Sequence, residues 1–210
     1  MESAAFTVCV PATSANLGPG FDALGLALAI HDEYRFAIAG VDSVTVSGEA
    51  AGETPTDGDN LVLRAAAHLA RHAGRDLPTL AVTQTSVIPV SRGLGASGAG
   101  IVAGLVAADH LLETSLSETA IAGLAIEIEG HADNVVPALV GGLVVVAAGD
   151  ELNWLPVDCP PSLKVAVAIP TCALPPGPPA RCCRTRCRSP TRCITCRARR
   201  SWWPPCSRTA

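Results

Sequence analysis

The first 170 residues are poor in basic side chains, in cysteine and in long apolar runs. They contain five arginines and one lysine against all 19 acidic residues of the 210-residue chain, a formal charge of −13. This balance gives no indication of a nucleic-acid surface. No apolar run reaches membrane-spanning length, and no positively charged leader precedes the apolar segment Phe6 to Val10. We therefore expect a cytoplasmic protein with no membrane or nucleic-acid partner.

Cysteine is nearly absent from the same 170 residues, which contain only Cys9 and Cys159. Two thiols are too few for the disulfide framework of a small secreted protein. They are consistent with reduced cysteines that pack as small apolar side chains.

Residues 171–210 lack acidic side chains altogether, and they contain nine arginines and seven of the nine cysteines. Cys193 and Cys196 have the spacing of a zinc or redox pair, and the arginines would suit a nucleic-acid-binding arm. A third explanation is a reading frame shifted by one base. With codons rich in G and C, the shifted frame turns residues 192–209 into an amphipathic helical sequence. We predict that residues 171–210 are an out-of-frame, disordered tail, and that residues 1–170 form the domain.

Periodicity within residues 1–170 predicts an α+β domain with an N-terminal sheet. Residues 60–73 have helical spacing, with Asp59 or Asn60 as the N-cap and Gly74 as the stop. Two further helices are predicted at residues 101–112 and 117–128. Short β-branched or alternating segments predict the strands, at residues 6–10, 34–38, 41–46, 80–88, 139–148 and 165–169.

The segment from Arg92 to Gly100 is rich in glycine and lies between a predicted strand and a predicted helix. Glycines let the backbone approach an anion closely, and the first turn of the helix offers unpaired N–H groups and a positive dipole end. The segment has neither the lysine of a Walker loop nor the spacing of a dinucleotide fingerprint. It indicates a phosphate site, although a loop that merely needs positive φ angles would look similar.

The segment from Glu129 to Asn134 places polar side chains between apolar segments, as ligand-binding residues often are, although a solvated turn would look similar. Mg²⁺ prefers hard oxygen ligands and often takes only one or two from the protein, so Ser97 with Glu129 would suffice. A zinc site on His131 is disfavoured because no second histidine lies at ligand spacing.

Three segments, residues 11–22, 89–100 and 129–142, together resemble the GHMP kinases, and the similarity extends over roughly residues 5–170. The first and third are most similar to the members that act on L-homoserine. The resemblance implies an N-terminal domain of the ribosomal protein S5 domain 2-like type. It also implies a ferredoxin-like C-terminal domain, which would be missing or truncated in this chain.

The resemblance also implies roles for individual residues. Ser97 and Glu129 would hold Mg²⁺. Homoserine would contact Asn16, Asp22, His131, Asp133 and Asn134. ATP would contact Asn60, Leu61, Val62, Pro89, Val90, Ser91, Arg92, Gly93, Leu94, Gly95, Ala96, Ser97, Gly98, Ala99 and Gly100. The chain departs from the family pattern at Ala96, where a serine is usual, and at Ala132, where proline is more frequent.

The implied reaction is the ATP-dependent phosphorylation of L-homoserine to O-phospho-L-homoserine, a step of threonine biosynthesis. The substrate hydroxyl would attack the γ-phosphoryl group in line, with catalysis resting mainly on positioning and on charge neutralisation. Asn134 would orient the hydroxyl and Arg92 would assist, with no general base identified. Two alternatives remain open: another GHMP kinase, acting on mevalonate or shikimate, and a non-catalytic nucleotide-binding fragment. A homodimer is compatible with the sequence.

Overall fold

The structure is a computed structural model that describes residues 5–148, 151–160 and 162–169. Six strands and four helices occur in these residues. The strands are β1 (Phe6–Leu17), β2 (Gly20–Ile38), β3 (Ser43–Gly48), β4 (Leu80–Ser86), β5 (Leu143–Ala148) and β6 (Leu152–Val157). The helices are α1 (Leu61–Ala73), α2 (Ala96–Leu112), α3 (Glu118–Glu129) and α4 (Ala132–Val140).

One mixed sheet contains all the described strands, in the order β3-β4-β2-β5-β6, with β1 paired to β2. Only the β3–β4 pair is parallel. Strand β2 is the longest and pairs with three others, so it organises the sheet. Along its second half, inward-facing Asp32, Tyr34 and Phe36 alternate with exposed Glu33 and Arg35, as expected for a sheet covered on one face.

Helix α1 begins and ends with the signals that the sequence predicts. The Asn60 side chain accepts a hydrogen bond from the Val62 N–H at 2.9 Å, and Gly74 ends the helix in the left-handed conformation with φ 62°. At the start of α3, the Ser117 side chain caps the Ala120 N–H. Helix α2 packs against α1 at Gly104, where a Cβ would lie 2.2 Å from the Val62 carbonyl oxygen.

The predicted α+β class is confirmed, and several element boundaries differ. Residues 11–33 extend the β1–β2 hairpin far beyond the predicted strands. Residues 139–140, predicted to begin a strand, complete helix α4 instead. This short helix was missed because Pro137 lies inside it, against the usual helix preference.

The predicted strand at residues 165–169 is wrong. These residues have no strand partner in the described part of the chain, and the side chains of Val165, Val167 and Ile169 are all exposed. An alternating apolar pattern forms a strand only where a neighbouring strand supplies hydrogen-bond partners.

The predictions for the tail, for the boundary at residue 170 and for a C-terminal domain lie outside the described residues. Among the helices that the structure describes, none is both long and apolar enough to cross a membrane.

Candidate functional site

A cleft of about 360 Å³ lies where the β1–β2 hairpin, the glycine-rich loop, α3 and α4 meet. The hairpin contributes Ala15 and Asn16, the end of α3 contributes Glu129, and the first turn of α4 contributes Asn134. The remaining lining residues belong to the glycine-rich loop and the start of α2: Val90, Ser91, Gly93, Leu94, Gly95, Ala96 and Ser97. The three segments singled out in the sequence therefore meet in one place.

The glycine-rich loop reaches α2 through alternating left-handed residues, with φ 57° at Ser91, 74° at Gly93 and 69° at Gly95. Gly95 is the N-cap of α2 and supplies no side-chain hydrogen bond to the helix. The N–H groups of the first turn are therefore left for a ligand, and the helix dipole favours an anion there. Both interpretations of the loop, a phosphate site and a need for positive φ, agree with this geometry.

Ser97 and Glu129 meet at the same end of the cleft, where the Ser97 hydroxyl donates a hydrogen bond of 2.7 Å to Glu129 Oε1. Glu129 is the last residue of α3, and a carboxylate at a helix C-terminus is disfavoured by the helix dipole. A bound cation would relieve this repulsion, and the two oxygens are the hard donors that Mg²⁺ prefers. Among the described residues, no cluster of three or more metal-ligating side chains occurs.

Asp133, in the first turn of α4, is a buried carboxyl with 1% exposure. Its Oδ1 lies 3.2 Å from His131 Nδ1, whereas its Oδ2 has no hydrogen-bond partner. Burial raises the pKa of Asp133, the charges of Asp22 and Glu129 raise it further, and His131 opposes the shift. The unpaired oxygen and the neighbouring carboxylates would suit a cationic group, although Asp133 is not among the residues that line the cleft.

Asn16 and Asp22 flank the turn of the β1–β2 hairpin, where the Asp22 N–H donates to Asn16 Oδ1 at 3.0 Å. Both have positive φ angles, 59° and 57°, which are uncommon for residues other than glycine. Strained backbone of this kind concentrates at ligand-binding sites. Of the two, Asn16 lines the cleft.

Several predicted site residues lie outside the cleft lining. Asn60 is fully buried as the cap of α1 and also donates to the Pro55 carbonyl oxygen at 2.6 Å. Arg92 donates to the Val90 carbonyl oxygen at 2.8 Å and lies 3.8 Å from Glu53. The other predicted site residues that do not line the cleft are Asp22, Leu61, Val62, Pro89, Gly98, Ala99, Gly100, His131 and Asp133. Their functional roles stay predictions.

Sequence reasoning missed Asp32, a fully buried carboxylate just below the glycine-rich loop. Its Oδ1 accepts the N–H groups of Val87 and Ile88 at 2.8 and 2.9 Å. Its Oδ2 accepts from Gln84 Nε2 at 3.1 Å, with the Tyr34 hydroxyl at 3.4 Å. Asp32 thereby fixes the backbone that leads into the loop. The available signal was an acidic residue at an inward position of an alternating strand.

Thr13 was also missed as an individual residue, although it lies in the first motif. It is fully buried, and its hydroxyl donates to Asn134 Oδ1 at 2.8 Å. Its backbone N–H donates to the Leu94 carbonyl oxygen at 3.0 Å. Thr13 therefore joins the hairpin, the glycine-rich loop and α4.

Comparisons with known proteins identify relatives of this chain. Residues 60–142 match the family described as GHMP kinases N terminal domain. The chain is 43% identical over 171 residues to a homoserine kinase of Trichodesmium erythraeum, covering 78% of this chain and 55% of that protein. It is 46% identical over 164 residues to a homoserine kinase of Leifsonia xyli, covering 76% and 49%. The chain thus spans about half the length of the curated relatives that it matches.

Solved structures show the same similarity. The homoserine kinase of Cytophaga hutchinsonii superposes with a TM-score of 0.65 at 29% identity, covering 78% of this chain and 58% of that one. The mevalonate kinase of Methanococcus jannaschii, at 14% identity and a TM-score of 0.58, shares the fold, with coverage of 75% and 57%.

Proposed function

Because residues 60–142 match the N-terminal domain of the GHMP kinases, we propose that the chain transfers the γ-phosphoryl group of ATP to the side-chain hydroxyl of L-homoserine. The observation that carries the proposal is the 2.7 Å contact of Ser97 and Glu129 beside the uncapped N-terminus of α2. Two hard oxygen donors next to a backbone anion site are what a magnesium nucleotide requires. The choice of homoserine rests on the names of the relatives at 43% and 46% identity.

The nucleotide would lie along the glycine-rich loop with its phosphates at the start of α2. The left-handed residues Ser91, Gly93 and Gly95 turn the backbone so that it can approach the phosphates closely. Ser97 and Glu129 would hold Mg²⁺. When bound, the ion would neutralise charge on the β- and γ-phosphoryl oxygens. Arg92, which contacts Val90 and Glu53, would need to move to reach the phosphates.

L-homoserine would occupy the opposite end of the cleft. Its ammonium group has suitable partners in Asp22 and in Asp133, whose Oδ2 is unpaired. Asn16, His131 and Asn134 would supply further polar contacts, and Asn134 would contact the reacting hydroxyl. The acidic character of this end favours an amino-acid substrate over mevalonate or shikimate, which carry no ammonium group.

In the reaction, the homoserine hydroxyl oxygen forms a bond to the γ-phosphorus while the bond from that phosphorus to the bridging oxygen breaks. The products are O-phospho-L-homoserine, ADP and the proton released by the hydroxyl. The N–H groups at the start of α2 stabilise negative charge on the transferred group, and Asn134 orients the nucleophile.

The test is product formation by the full chain with Mg-ATP and L-homoserine, mevalonate or shikimate in parallel, followed by ³¹P NMR and ADP release. We expect phosphorylation of homoserine alone. Glu129→Gln should reduce it on the order of 100-fold through loss of a magnesium ligand. Glu127→Gln, two residues away and exposed, is the matched control and should leave the rate unchanged. Phosphorylation of mevalonate or shikimate instead of homoserine would refute the substrate assignment.

A second candidate is a nucleotide-binding domain without catalysis, favoured by the observation that the chain spans about half the length of its relatives. It predicts binding of a non-hydrolysable ATP analogue, weakened by Glu129→Gln, with no phosphorylated product from any of the three alcohols. Both candidates predict this binding, which calorimetric titration measures, so the product assay is what separates them.

A further inference from the structure

We propose that Thr13 is a positioning residue that sets the orientation of the Asn134 side-chain amide and ties it to the glycine-rich loop. The inference rests on the proposed function, in which Asn134 contacts the reacting hydroxyl. Thr13 itself does not line the cleft, so it would act through Asn134.

The geometry of β1 explains why Thr13 can make contacts outside the sheet. The β1–β2 pairing shifts register between Pro11 and Thr13, and such irregularities redirect backbone and side-chain groups. The Thr13 N–H donates to the Leu94 carbonyl oxygen at 3.0 Å rather than to a neighbouring strand. The Thr13 side chain therefore has a fixed position relative to the loop.

The Thr13 hydroxyl donates to Asn134 Oδ1 at 2.8 Å, a link between residues 121 positions apart in the chain. Both partners are shielded, since Thr13 has 0% exposure and Asn134 is partly buried. A shielded hydrogen bond does not compete with bulk water, and its loss leaves an unsatisfied polar atom.

Gly95 completes this contact from the side of the loop. A Cβ at Gly95 would lie 2.0 Å from Thr13 Oγ1 and 3.2 Å from Asn134 Oδ1. The glycine therefore lies directly against the hydrogen bond between these two side chains. Gly95 is also the N-cap of α2, so the Asn134 amide has a fixed position relative to the proposed phosphate site.

The direction of this hydrogen bond determines what Asn134 presents to a substrate. Because Oδ1 accepts from Thr13, the amide nitrogen Nδ2 is the group left to donate. Its neighbour, Asp133 Oδ1, is at 3.5 Å, the outer limit of a hydrogen bond. Nδ2 can thus donate to one lone pair of the substrate hydroxyl oxygen while another lone pair attacks phosphorus. A flipped amide would present an acceptor instead.

The kinetic test compares Thr13→Val, which keeps the shape and removes the donor, with Thr13→Ser, which keeps the donor. Thr13→Val should lower kcat on the order of tenfold or more, with KM for ATP changed less than about twofold. Thr13→Ser should recover most of the rate. In an Asn134→Ala background, Thr13→Val should cost nothing further, because its effect passes through Asn134. Equal loss in Thr13→Ser and Thr13→Val, or additive losses in the double variant, would overturn the proposal.

A readout that does not depend on turnover is the side-chain amide signal of Asn134 in ¹⁵N–¹H NMR spectra, identified by its absence from Asn134→Ala. Thr13→Val should shift this signal and Thr13→Ser should not. Should Thr13→Val fail to fold, Thr13→Ala provides the same comparison. A shifted signal in a protein that phosphorylates no alcohol would uphold the positioning role and refute the proposed function. An unmoved signal in a protein that phosphorylates homoserine would refute the positioning role and uphold the proposed function.

Discussion

Asp32 and Asp133 are both buried carboxyls, but their oxygens are paired differently. Both oxygens of Asp32 accept hydrogen bonds, whereas Oδ2 of Asp133 has no partner. A buried carboxylate surrounded by donors supports the fold, whereas one that lacks partners destabilises it and is a candidate for ligand binding. We therefore expect replacement of Asp32 to destabilise the fold and replacement of Asp133 to stabilise it.

For Asp133, burial raises the pKa in the folded protein above the ordinary value of 3.8. The stability contributed by this group is fully present below the pKa of the unfolded chain and is lost as pH rises through the raised folded pKa. We expect Asp133→Asn to raise the thermal stability of the ligand-free protein at neutral pH, with the gain fading as pH falls toward 4. Thermal unfolding across pH 4–8 measures this.

The control for this prediction is Asp76→Asn at an exposed carboxyl, which should leave the thermal stability close to that of the parent protein. A stability deficit in Asp133→Asn that widens as pH rises would contradict the prediction. The same variant should bind homoserine more weakly, so stability and function would change in opposite directions at this residue.

For Asp32, replacement by alanine leaves the Val87 and Ile88 N–H groups without their acceptor below the glycine-rich loop. We expect the free energy of unfolding to fall by about 3 kcal/mol, since unsatisfied buried groups each cost a substantial fraction of that sum. Asp32→Asn keeps one oxygen for these donors and should lose less. Chemical denaturation quantifies both, with Glu33→Ala on the exposed face of β2 as the control. Equal losses in the two Asp32 variants would show that the backbone acceptor is unimportant.

At the scale of elements, the crossing of α1 and α2 depends on Gly104. A Cβ there would lie 2.2 Å from the Val62 carbonyl oxygen and 2.9 Å from Ala65 Cβ. We expect Gly104→Ala to reduce the free energy of unfolding by about 2 kcal/mol, because two helix backbones must separate. This outweighs the intrinsic preference of helices for alanine.

Gly123, inside α3, is the matched comparison because a Cβ there would meet nothing within 4 Å. Gly123→Ala should stabilise the protein by about 0.5–1 kcal/mol through helix propensity. Chemical denaturation of both variants tests the pair. The same sign of change in the two would indicate that propensity, and not helix packing, controls the crossing.

The position of helix α4 and the conformation of residues 165–169 also depend on tertiary contacts. Gly25 of β2 lies against α4, where a Cβ would meet the Asp133 carbonyl oxygen at 2.1 Å and Pro137 Cγ at 2.7 Å. This contact holds the first turn of α4, and with it Asn134, near the sheet. The apolar segment of residues 165–169 has no comparable neighbour among the described elements, and it does not form a strand.

At the scale of the whole molecule, the candidate site joins segments that are more than 100 residues apart, so a ligand that contacts them all should stabilise the entire fold. At a concentration of 100 times its Kd, Mg-ATP should raise the free energy of unfolding by about 2.7 kcal/mol. This corresponds to a rise in Tm of roughly 5–10 °C for a domain of this size. Scanning calorimetry with ATP, with and without Mg²⁺, measures the effect.

Glu129→Gln should retain a small shift with ATP and lose the part that requires Mg²⁺, whereas Glu127→Gln should behave like the parent protein. Identical shifts with and without Mg²⁺ in the parent protein would refute the assignment of Ser97 and Glu129 to a metal. This test needs no turnover, so it is informative even if no alcohol is phosphorylated.

The sequence by itself determined the features that depend on short-range interactions. The stop at Gly74 and a cap for helix α1 at Asp59 or Asn60 follow from local hydrogen bonding and from the conformational freedom of glycine, and the structure selects Asn60. The GHMP kinase resemblance followed from three motifs in order, and it also indicated which segments would meet. These signals are contained in stretches of about ten residues.

Only the tertiary structure decided which distant groups became partners. Helix α4 forms despite Pro137 because it packs against β2, and residues 165–169 remain outside the sheet because no described strand pairs with them. The roles of Thr13 and Asp32 arise from hydrogen bonds across 121 and 55 positions of the chain. Periodicity assigns a residue to a buried face, but a pairing over such distances is fixed by the close packing of the complete fold.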